Sequence, residues 1–72
     1  MSKSECCVRR LCEAMGKDAV ADILVDALAG IWQVTAADFI LAAVDFYEAL
    51  EMAEAYNNCM WHSAICNNGE YL

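Results

Sequence analysis

The chain contains no proline and only three glycines among its 72 residues. That scarcity excludes a turn-rich β fold and a Pro/Gly-rich disordered segment. Basic residues are nearly as scarce. Four Lys and Arg stand against eleven Asp and Glu, for a formal net charge of −7. The four are Lys3, Arg9, Arg10 and Lys17, so no cation of this kind follows in the rest of the chain. Phosphate contacts need Lys and Arg, which excludes direct nucleic-acid binding as an expected function. An anionic membrane surface would repel the chain for the same reason. The longest charge-free stretch, 55–69, carries Asn57, Asn58, His62, Ser63, Asn67 and Asn68. It does not supply the ~20 apolar residues of a membrane helix. Met1-Ser2-Lys3-Ser4-Glu5 has no apolar signal core, so a cytoplasmic protein is expected.

What the chain has in excess is apolar residues, 61% of the total. A domain near this size buries roughly 60% of the surface its unfolded chain exposes. Its core supplies at most about 3–5 kcal/mol. One domain covering 1–72 is therefore expected to lend apolar surface to another chain, as a homodimer and to a larger partner.

Alanine, leucine, methionine and glutamate favour helix. The patterning predicts an all-α fold: three main helices, about 4–15, 19–31 and 36–56, plus a short C-terminal helical segment near 59–65. In the first, Val8, Leu11, Cys12 and Met15 share a face, Ser4 is the expected N-cap and Gly16 the stop. In the second, Asp18 is the expected cap. Val20, Ile23, Leu24, Ala27 and Ile31 form the buried stripe, widened by Leu28. Thr35-Ala36-Ala37-Asp38 reads as a capping box opening the third helix, and Asn57-Asn58 as its end. That helix is apolar around most of its circumference. Phe39, Ala43, Phe46, Leu50 and Ala53 make one stripe, and Ile40, Val44 and Tyr47 another. Phe39 and Phe46 are expected in the core. Leu41 and Met52, off both stripes, are expected at an assembly surface, together with the aromatic anchors Trp32, Tyr56 and Trp61.

The acids form two groups. Asp18, Asp22 and Asp26 recur every four residues as a ridge. Asp45, Glu48, Glu51 and Glu54 recur every three and spiral around the third helix. Either group is a solvated face or a docking surface for a basic partner.

Five cysteines leave at least one unpaired within the monomer. Cys59-x2-His62-x3-Cys66 places a thiol, an imidazole and a second thiol on one side of a helix. A zinc ion there needs a fourth ligand, from Cys6, Cys7 or Cys12. Against it, the adjacent Cys6 and Cys7 point in different directions on a helix. Small buried apolar cysteines, or a disulfide from the N-terminal helix to the tail, are the other readings. In a reducing cytosol thiols or metal ligands are expected ahead of disulfides. One histidine, few hydroxyls and no glycine-rich loop leave no catalytic constellation, so the chain is expected not to be an enzyme. In size and composition it is similar to small acidic regulators encoded by phages and mobile elements. The expected function is an acidic interaction module that binds and inhibits a larger protein, plausibly in a nucleic-acid-handling host complex. The alternative is a structural subunit stapled by metal or disulfide through Cys59, His62 and Cys66.

Overall fold

The computed structural model describes residues 3–31, 33–62 and 66. Trp32, and the C-terminal segment beyond His62 apart from Cys66, lie outside the described residues. Helices dominate what is described, and no strand occurs among those residues.

Helix α1, Lys3–Ala14, buries Cys6, Cys7, Val8, Leu11 and Cys12. Gly16 ends it as expected, at φ 70°. Its N–H donates to the Glu13 carbonyl at 3.2 Å and the Lys17 N–H to the Cys12 carbonyl at 2.6 Å. These two bonds are the Schellman pair, and only glycine takes the left-handed position without steric cost. Ser4 lies inside the first turn and does not cap it. Its hydroxyl stands 2.7 Å from the Tyr56 hydroxyl and ties α1 to the last helix.

The expected second helix is shorter and divided. Asp18–Val20 forms a 3-10 turn, and α2 runs over Ala21–Leu28. Asp18 is not the cap; Val20 occupies that place, without a side-chain bond. The buried face is Ala21, Leu24 and Leu28, at i, i+3, i+7, while Ile23 and Ala27 face solvent. Leu24 and Leu28 keep their place on the buried face, while Ile23 and Ala27, each one residue and about 100° away, fall on its solvent side, so the buried stripe is narrower than expected. A type II turn closes α2. Ala29 (φ −59°, ψ 122°) precedes Gly30 (φ 82°), and the Ile31 N–H returns to the Leu28 carbonyl at 3.1 Å.

The long third helix does not form as one piece. The Thr35–Asp38 capping box is present, with the Thr35 N–H donating to Asp38 Oδ2 at 2.7 Å. It opens only a 3-10 turn, Ala36–Phe39. The chain then turns through 40–45 and restarts as α3, Phe46–His62, passing through Asn57-Asn58 without stopping. The restart has its own cap. Asp45 Oδ1 accepts the Glu48 N–H at 2.8 Å, and Glu48 Oε1 accepts the Val44 N–H at 3.3 Å. Glu48 also pairs with Lys17 Nζ at 2.7 Å, joining the α1 terminus to the start of α3.

The break lets the 36–39 turn fold back on α3. Phe39 is fully buried and meets Tyr56 with ring centroids 5.7 Å apart. Asn57 Nδ2 donates to the Val34 carbonyl at 3.0 Å across the same seam. α3 turns Ala49, Met52, Ala53 and Tyr56 inward. It packs on the 36–39 turn and on α1, and α1 packs on α2.

Candidate functional site

Two disulfides join α1 to the far end of the chain. Cys6 pairs with Cys66 and Cys7 with Cys59, with Cα–Cα distances of 5.8 and 5.7 Å. The expectation of free thiols therefore fails for four of the five cysteines, and the tie from the N-terminal helix to the tail is made twice. The rotation between adjacent residues of α1 is no obstacle, because Cys59 and Cys66 approach it from different points of the C-terminal segment. The Sγ atoms of Cys7, Cys59 and Cys66 lie within 4.8 Å of one another, so the two bonds form one sulfur cluster. His62 is exposed and stands outside that group. The expected Cys59–His62–Cys66 ligand set is thus replaced by cysteine alone.

Cys12 is the remaining thiol and is buried. Burial first, and then the charge of Asp18, push its pKa up, against the opposing pull of Arg9 and Lys17. A buried thiol that resists ionisation is a poor nucleophile. Its folded pKa is raised, so its contribution to stability is intact below the unfolded value. That contribution is lost as pH rises past about 8.5, where the unfolded thiol ionises first. Denaturant midpoints at pH 7 and pH 9.5 should show this loss, and Cys12→Ala should remove that part of it. Iodoacetamide at pH 8 should leave Cys12 unmodified in the folded, oxidised chain and modify it after denaturation.

The second feature is apolar. Ile40, Leu41, Val44, Phe46, Tyr47 and Leu50 all face solvent, with Leu41 66%, Val44 75% and Tyr47 79% exposed. They occupy the 40–45 turn and the first turns of α3, one continuous stretch of chain. Of the expected assembly residues, Leu41 belongs to this surface. Met52 and Tyr56 do not: Met52 is fully buried and Tyr56 lies in the core against Phe39. Phe46, expected in the core, is instead exposed. Trp61 is exposed too. It lines a separate shallow cavity with Lys3, Ile31, Tyr56, Asn57 and Met60.

The acids divide by role. Asp22 pairs with Arg9, which also reaches Glu5 at 3.6 Å. Asp45 and Glu48 cap α3, and Glu48 holds Lys17. Asp18, Asp26, Glu51 and Glu54 are exposed. Asp45 interrupts the apolar stretch, Glu51 follows it directly, and Glu54 comes one turn on.

The exposed stretch had a sequence signal that periodicity concealed. Asp45-Phe46-Tyr47-Glu48 is a second capping pattern ten residues after Thr35-Ala36-Ala37-Asp38. Two helix starts that close together imply a break between them. Comparison with known proteins gives no family model, no curated protein and no solved structure that matches this chain.

Proposed function

We propose that this protein is a non-enzymatic interaction module that blocks a surface of a larger protein by docking the 40–50 stretch on it. The observation that carries this reading is the exposure of six large apolar side chains in one run of eleven residues, against three others, Ile23, Ile31 and Trp61, scattered over the rest of the described residues. Contiguous exposed apolar surface of this kind marks interaction sites. The partner presents an apolar surface edged by basic groups, complementary to the exposed Glu51 and Glu54. The same acids disfavour a second copy as occupant. Two chains of net charge −7 would bring like charges together around the contact.

Apolar docking is favoured over mimicry of a nucleic-acid backbone. Asp22 on α2 pairs with Arg9, and Glu48 on α3 is held by its cap and by Lys17, so neither acidic group presents an unbroken row of free carboxylates. Nucleophilic catalysis by a Cys–His pair has no support in the geometry, since Cys59 is bonded to Cys7, Cys12 is buried and His62 is exposed. The two disulfides favour a compartment in which such bonds persist, beside the cytoplasm expected from the sequence. No helix among the described residues is long and apolar enough to cross a membrane.

The test is affinity capture at 0.1 and about 1 M salt, where surface charge is screened within roughly 3 Å. A partner that stays bound at high salt and is lost with Leu41→Asp or Tyr47→Asp supports apolar docking. A partner that is shed by salt and indifferent to both substitutions supports charge mimicry instead. Sedimentation across protein concentration separates both from self-association.

A further inference from the structure

We propose that the four paired cysteines are a two-state centre: in the reduced chain Cys6, Cys7, Cys59 and Cys66 hold one zinc ion as a tetrathiolate. Three of the sulfurs already lie within 4.8 Å of one another, and the fourth, Cys6, is bonded to Cys66. In a tetrahedral zinc site with Zn–S near 2.3 Å the sulfurs stand about 3.8 Å apart. Modest side-chain rotation therefore brings these four to ligand spacing once the S–S bonds open. All four are at least half-buried, with Cys7 and Cys66 fully so, which suits a closed structural site rather than a catalytic one. The tetrathiolate would carry a net charge of −2. Arg10 lies beside it, lining a cavity with Cys7, Cys59 and Asn58, and offsets part of that charge.

The chemistry balances as follows. A dithiol reductant gives two electrons and two protons to each disulfide and becomes a disulfide itself, leaving four thiols on the chain. Zinc(II) then displaces four protons and forms four Zn–S bonds. Either state ties α1 to the C-terminal end of the chain, so the fold could persist in oxidising and reducing surroundings alike. Cys12 takes no part.

The full chain, reduced with a phosphine under anaerobic conditions, is titrated with cobalt(II) and then zinc(II). The expected result is one equivalent of cobalt, with thiolate charge-transfer and tetrahedral d–d absorption, displaced by zinc. Helical circular dichroism should return in step with it. Cys12→Ser and His62→Ala should leave uptake unchanged. Cys7→Ser and Cys59→Ser should each weaken it by about 100-fold or more, as expected when a ligand is lost from a site whose binding drives folding. No charge-transfer band, or uptake indifferent to Cys7→Ser and Cys59→Ser, would overturn the proposal. So would loss of binding with His62→Ala, which would restore a Cys–His site, or uptake that leaves the helical signal of the reduced chain unchanged.

Discussion

Reducing both disulfides in the absence of metal unfolds the chain at 25 °C. The bonds span sequence separations of 60 and 52 residues. In the chain-entropy description a loop of that length is worth about 4 kcal/mol. The two are nested, so they do not add. Once one is closed, the other closes only the short circuit through Cys6-Cys7 and the segment 59–66, about eight residues and roughly 2.5 kcal/mol. Replacing either pair by serine should therefore cost about 2–3 kcal/mol, whichever pair is chosen, and replacing both about 6–7 kcal/mol. Without a staple, apolar burial in a chain this short roughly balances its ordering entropy, so little or no net stability remains once both bonds are gone. Single-pair variants should fold with lowered denaturant midpoints, and the four-serine variant should lose its helical circular dichroism. Equal stability of all three with the native chain would remove the staple from the account.

The second large effect separates two residues that the sequence places together. Met52→Asp should abolish folding, while Leu41→Asp should leave stability within about 0.5 kcal/mol. Met52 is fully buried on the face of α3 that also carries Ala49, Ala53 and Tyr56, and α3 packs on the 36–39 turn and α1. A carboxylate there loses its hydration with no partner, and the lost methionine packing adds to the cost, above about 4 kcal/mol in all. Leu41 is 66% exposed in the 40–45 turn, where a charge stays hydrated. Thermal melts of the two variants, side by side, measure the difference. Similar destabilisation by both would mean that the 40–50 stretch is packed rather than presented.

Met52 and Leu41 also mark where the sequence stops being legible. Helical content, the Gly16 stop, the Thr35–Asp38 box and the odd cysteine are local properties, and local chemistry decides them. Burial around 36–56 is not local. An apolar stripe can be assigned to the core only when the helix carrying it has a single phase, and the turn at 40–45 divides this one. Phe39 and Phe46, seven residues apart, would share a face on an unbroken helix. The break sends Phe39 inward and Phe46 outward. Ile23 and Ala27 are misplaced for a different reason: the stripe expected on α2 is wider than the face that Ala21, Leu24 and Leu28 bury. The cysteines fail for another reason. Pairing depends on which parts of the chain meet, and the compartment expected from the sequence pointed away from disulfides. The apolar surplus itself was legible, and most of its exposed large side chains lie in the 40–50 stretch, with Ile23, Ile31 and Trp61 outside it.

Covalent footprinting of the captured complex tests the docking reading most directly. With an unselective carbene label, residues 40–50 should be protected on binding, and Asp18, Asp22 and Asp26 should label as they do in the isolated protein. Protection of that acidic ridge with 40–50 still fully labelled would contradict the account.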